Sequence, residues 1–178
     1  SEAFMRIYKL FWDDFSGWYL EIVKPAYGSP ADRKTIDATR HYFDMLMRLI
    51  HPFMPFVTEE IWQDLTPRAK GESIMYAPAP AVEQWDEALL TRFEFVKEAI
   101  TDIRNVRKQK NIAQKQPLTL KVIVDENYPA SYAPVIVKMG NISAIETVTE
   151  KDPAAAAFIV KTTQYFVPLG DNIDREAE

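Results

Sequence analysis

The sequence predicts a mainly α protein: an antiparallel helical bundle over residues 1–115, then a small α+β subdomain over residues 116–178. Three observations predict it. Apolar residues recur at spacings of three and four through the first two thirds of the chain, the period of a helix with one buried face. At Leu118 the period drops to two, with Leu118, Leu120, Val122 and Val124 alternating with Thr119, Lys121 and Ile123 as in a half-buried strand. Prolines and glycines gather between the periodic stretches, in the loop Tyr27-Gly28-Ser29-Pro30 and in a connector over residues 66–86 holding Pro67, Gly71, Pro78 and Pro80.

The elements follow in order. Phe4, Ile7, Tyr8, Phe11, Trp12, Phe15, Trp18, Tyr19 and Ile22 form the buried side of a first helix that ends near Lys24-Pro25. Asp32 or Thr35 caps a second helix, which buries Ile36, Tyr42 or Phe43, Leu46, Leu49 and Ile50. This helix runs into His51-Pro52-Phe53-Met54-Pro55-Phe56, where Pro52 removes a backbone donor and is expected to push His51 out of helical geometry. Pro55 suits the first turn of a short helix, with Glu59 and Glu60 near its positive end. Phe53, Phe56, Val57, Ile61, Trp62 and Leu65 are its expected apolar side. From about Asp86 a longer helix carries Leu89, Phe93, Val96, Ile100 and Ile103 in one sector, and Pro117 stops any continuation. In the subdomain a helix over Tyr132–Met139, closed by Gly140, precedes strands at Ile142–Val148, Ala156–Val160 and Gln164–Val167.

Composition narrows the function classes. Hydrophobic residues at 47% and charged residues at 26% place the chain among ordinary globular proteins. No apolar run reaches the roughly eighteen residues of a membrane span, and residues 1–6 do not resemble a secretory leader. The absence of cysteine excludes disulfides and thiolate zinc sites and fits a cytoplasmic protein. Helical periodicity from the first residues and the abrupt end at Asp174-Arg175-Glu176-Ala177-Glu178 lead to the expectation of a piece of a longer protein.

Catalytic chemistry finds no purchase. His41 and His51 are the only histidines and lack a third ligand to make a metal site. Asp13 and Asp14 adjoin on a helix and point about 100° apart, poor geometry for a carboxylate pair sharing a proton. Five glycines supply no phosphate loop, and no nucleophile elbow is present. The expectation is no catalytic residue, no metal ligand and no cofactor within this chain.

Charge is more telling. Residues 92–121 carry eight basic groups against three acids, a net of +5, which leaves −10 for the rest of a chain whose total is −5. Within this stretch Lys97, Arg104 and Lys108 fall within about 40° of one another on a helical projection, beside the core sector. With Arg107 and Lys110 they are the candidate nucleic-acid-binding residues, because a cationic ridge neutralises phosphates without reading sequence. Arg107 projects onto the core side, so it is expected to lie beyond the bundle's packed region or to run its stem along apolar surface. An ordinary solvated basic face, favoured by the helix dipole, is the competing reading. The aromatic residues lie mostly at core-facing positions, and none stands out as a platform for unpaired bases.

Three segments resemble the valyl-tRNA synthetase family of class I aminoacyl-tRNA synthetases in order and spacing. They are Trp12-Asp13-Asp14-Phe15-Ser16-Gly17-Trp18-Tyr19-Leu20-Glu21, the His51–Phe56 corner with the helix after it, and Tyr165-Phe166-Val167-Pro168-Leu169-Gly170 with Ile173–Glu178. Ile103–Ile112 is also similar to that family's arginine-rich helix end. The resemblance implies the class I anticodon-binding bundle lacking its first helix, and a small subdomain leading toward a C-terminal coiled coil. It implies a parent enzyme, expected to be monomeric, that joins valine to its tRNA isoacceptors with ATP and magnesium and hydrolyses mischarged tRNA elsewhere. This chain would then grip the anticodon arm, with Arg104, Arg107, Lys108 and Lys110 on phosphates. The isoleucyl enzyme's equivalent module and a helical protein-interaction module are the alternatives.

Overall fold

A computed structural model describes residues 1–170. The predicted approach to a coiled coil at Ile173–Glu178 lies outside the described residues. The chain is mainly helical with one small mixed sheet. It divides into two compact units, Ser1–Gln84 and a second beginning at Trp85. The division precedes the long helix, whereas the sequence reading drew its boundary after residue 115. The burial of that helix explains the difference, because it lies against helix and strand of its own unit.

In the first unit, α1 (Glu2–Lys9) begins at Ser1, whose hydroxyl accepts from the Phe4 amide at 3.3 Å. The helix widens over Leu10–Leu20 into a π-helix and closes as α2 (Glu21–Val23). A regular helix had been expected throughout. Phe15 is the buried residue of the widened stretch, and its ring stacks on Tyr19 at 5.5 Å and on Phe43 at 5.8 Å. α3 (Arg33–Ile50) is capped by Asp32, which accepts from the Thr35 amide at 3.0 Å and so decides between the two candidate caps.

The corner differs from expectation in three ways. His51 keeps helical angles (φ −49°, ψ −43°) and its amide still donates to Met47 at 2.9 Å, so Pro52 does not displace it. The break falls at Met54 (φ −138°, ψ 63°), just before α4 (Pro55–Leu65). The Thr58 hydroxyl donates to the Met54 carbonyl at 2.8 Å and lies 2.8 Å from His51 Nδ1, which secures the turn from within. Secondly, Glu59 does not serve its own helix end; its carboxylate accepts from the Ser73 hydroxyl at 2.6 Å and the Ile74 amide at 3.2 Å. Thirdly, Phe53, Phe56 and Val57 are exposed. Of the expected apolar side Trp62 is buried and Ile61 and Leu65 are half-buried, and Thr58 on the same helix is buried without having been expected there. The core of this unit is Phe15, Leu46, Met47, Ile50, Trp62 and Ile74.

In the second unit α5 (Glu87–Gln109) is capped by Asp86, which accepts from the Leu89 amide at 3.0 Å. Strands β1 (Leu118–Ile123), β2 (Ile142–Thr147), β3 (Ala155–Val160) and β4 (Thr163–Pro168) form one sheet in the order β2-β1-β4-β3. β1 and β2 are parallel, joined through α6 (Ala133–Gly140), and the other pairs are antiparallel. The β3–β4 hairpin turns through Lys161-Thr162, with Lys161 at φ 57°. Val96, Ile100, Ile103, Leu120, Val122, Ile136, Tyr165 and Val167 are fully buried or nearly so.

α6 also ends differently from expectation. Gly140 is its last helical residue, and Asn141 takes the left-handed turn at φ 50°. Gly140 sits in a tight place: an added Cβ would lie 3.1 Å from Ile142 Cγ1 and 3.3 Å from Ile103 Cδ1, so those side chains would have to give by a few tenths of an ångström. No helix among the described residues is long and apolar enough to cross a membrane.

Candidate nucleic-acid interface

The last three turns of α5 set the geometry. Its inward side is Val96, Ala99, Ile100, Ile103, Val106 and Arg107, all buried. The charges predicted to form a ridge therefore fall into three groups. Arg104 and Lys108 are one turn apart and exposed, and Lys110 is exposed at the C-cap. Cations there face the negative end of the helix dipole, which favours them where they stand. Among the described residues, no carboxylate is ion-paired with Lys108, Lys110 or Lys115.

Lys97 is one of the predicted set but sits differently. Its ammonium lies 2.6 Å from Glu94 Oε1, and its side chain is only 19% exposed. A partner carboxylate and this burial leave it at the margin of the exposed row, since a phosphate would have to compete with Glu94.

Arg107 leaves the row altogether. It is 1% exposed, so it cannot act as a surface phosphate contact. Its guanidinium donates four hydrogen bonds to main-chain carbonyls. Nη1 reaches Ala113 at 3.0 Å and Gln116 at 2.7 Å, and Nη2 reaches Gly140 and Asn141, each at 2.9 Å. Burying a cation is costly unless its donors find partners, and a planar fork can reach several carbonyls at once; the buried Arg107 Nε alone has no partner among the described residues. Burial pushes the guanidinium below its ordinary pKa. The sequence placed Arg107 on the core side, but its acceptors come from a loop and from a second helix that no local pattern identifies.

Those bonds shape residues 110–117. The chain leaves α5 through Asn111 in the left-handed region (φ 53°), and the Ile112 amide returns to the Arg107 carbonyl at 2.8 Å. Ile112 is buried. Asn141 Nδ2 holds the loop from the other side, donating to the Gln114 carbonyl at 2.9 Å. Lys110 and Lys115 thus stand exposed on a loop whose backbone is fastened at Ala113, Gln114 and Gln116. The sequence reading missed Asn141; an asparagine directly after a helix-ending glycine is the signal that marks it.

Comparison with known proteins bears on this arrangement. The family described as the anticodon-binding domain of tRNA ligase matches residues 1–124. A valine--tRNA ligase of Parabacteroides distasonis is 51% identical over the whole chain, which covers 20% of that protein. One from Bacteroides thetaiotaomicron is 52% identical, and one from Thermotoga maritima 36% identical over 99% of the chain, with 20% of each relative covered. The chain thus spans about a fifth of the length of these curated relatives. With a profile that matches well over half of its residues, the chain belongs to the family of anticodon-binding domains of tRNA ligases.

Proposed function

We propose that this chain is the anticodon-arm-binding part of a valine--tRNA ligase and that its partner is the set of valine tRNA isoacceptors. The single observation that carries the reading is full-length similarity to valine--tRNA ligases at about half identity. In this reading the domain takes the form of an antiparallel helical bundle, and the parent is a cytoplasmic monomer. ATP, magnesium, valine activation and editing belong to parts of the parent outside these residues. The chain contributes by orientation: it holds one end of the tRNA so that the other meets a distant active site, which lowers the barrier without any proton transfer here.

Arg104, Lys108 and Lys110 are the proposed phosphate contacts, supported by their exposure and their common location at the end of α5. Such contacts fix register on the RNA backbone and carry no base information. The test is charging by the full-length protein. Steady-state aminoacylation with valine and with isoleucine identifies the amino acid, and Arg104→Ala with Lys108→Ala should raise KM for tRNA while leaving valine-dependent ATP–pyrophosphate exchange unchanged. Charging with isoleucine in place of valine, or a fall in exchange with tRNA KM unmoved, would overturn the reading.

A further inference from the structure

Arg107 holds a charge inside the second unit without an ion-paired carboxylate among the described residues. Four carbonyls solvate it, from Ala113 and Gln116 in the loop and from Gly140 and Asn141 at the end of α6. Carbonyl dipoles accept from both terminal nitrogens, while the buried Nε–H has no partner among the described residues, and they do not cancel the net charge. The positive field persists beneath a loop whose own exposed charges, Lys110 and Lys115, have the same sign.

Simple anchoring would need less. An apolar side chain at this inward position of α5 would be buried with no desolvation cost, as buried ionic groups replaced by apolar ones often show. What a guanidinium adds is one rigid fork that fixes the end of α5, the loop and the end of α6 together. The Asn141 amide repeats the tie, bonding Gln114 from the same helix end that Arg107 grips.

We propose that Arg107 is a positioning residue for RNA binding, which preforms residues 110–117 as a phosphate-binding loop bearing Lys110 and Lys115. The inference rests on the tRNA-binding reading and extends it to Lys115 and to a residue that touches no RNA. A loop ordered before binding does not lose its backbone entropy at the moment of contact, so its lysines deliver more of their electrostatic attraction as affinity. Unfastened, the same lysines would still be charged but would lose most of that advantage.

The experiment measures tRNA affinity of the full-length protein in three backgrounds: native, Arg107→Met and Asn141→Gly. Asn141→Gly removes only the amide tie to Gln114, because glycine takes the left-handed turn freely. It keeps the test valid if Arg107→Met fails to fold. In each background Lys110→Ala with Lys115→Ala is compared with Arg104→Ala with Lys108→Ala. In the native background the loop pair should cost about tenfold in affinity at 0.1 M salt and make the salt slope shallower by about 1.5, the scale of two phosphates. In the other two backgrounds the loop pair should cost less than about twofold, while the helix pair keeps its full effect. Equal loss from the loop pair in all backgrounds would overturn the inference, as would no loss in the native one while the helix pair still weakens binding. If neither pair matters, the tRNA-binding reading falls and the inference with it.

Discussion

The indole nitrogen of Trp62 donates to the Asp44 carboxylate at 2.6 Å, joining α4 to α3 across the core of the first unit. The same carboxylate pairs with Arg48 at 2.8 Å and Arg68 at 3.4 Å, and the Arg68 guanidinium lies 3.4 Å from the centre of the Trp62 ring. Arg48 in turn donates to the Pro78 carbonyl at 3.0 Å, so one acid fastens two helices and the connector after them. Asp44→Ala leaves a buried indole donor without its acceptor and two half-buried arginines without their ion-pair partner. It should lower unfolding stability by about 1–3 kcal/mol, read as a shift in the urea midpoint. Glu2→Ala, which breaks a fully solvent-facing pair with Arg6, should shift it immeasurably.

Gly140→Ala tests the crowding where α6 ends. The new methyl must push on Ile142 and Ile103, both buried. Overpacking of this kind costs about 1–3 kcal/mol, and chemical denaturation should show it. Asn111→Gly, at an exposed left-handed position, should be neutral or slightly stabilising, whereas Asn111→Val should be clearly destabilising because a β-branched residue resists that conformation.

Acid should loosen the first unit through Glu59. Hydrogen bonds from Gln63 and then Ser73 hold its carboxyl below the usual range. The folded pKa is the depressed one, so the unfolded chain binds protons first as pH falls. The stabilisation is complete above the unfolded glutamate pKa of about 4.3 and is lost as pH drops through the folded value. Glu59→Gln can still accept from Ser73 but does not titrate. Stability followed from pH 6 to pH 3 should therefore fall less steeply in the variant than in the native protein.

What the sequence disclosed was local. An N-cap bond spans only three residues, so Asp32 stood among the two candidate caps of its helix, and the long helix starts beside Asp86, where it was expected. The change of period at Leu118 marked the first strand within a residue of where it begins and ends. What it withheld was set by distant partners. Glu59 bonds across 14 residues to Ser73, and Arg107 across 33 to Gly140, so neither role has a local pattern. The same holds for the strand order β2-β1-β4-β3, which pairs the first strand with the last. The π-helix over Leu10–Leu20 left no trace in a periodicity that read as an ordinary helix. Of the five candidate contacts, Arg104, Lys108 and Lys110 stand exposed, Lys97 is paired with Glu94, and Arg107 is interior.

If the exposed cations at the end of α5 neutralise RNA phosphates, the salt dependence of tRNA binding by the full-length protein must report it. Comparing the native protein with Arg104→Ala plus Lys108→Ala over 50–300 mM salt isolates the contribution of those two groups. The double variant should weaken every tRNA to the same degree and make the slope of log affinity against log salt shallower by about 1.5. A slope identical to the native protein's, with affinity unchanged, would contradict it.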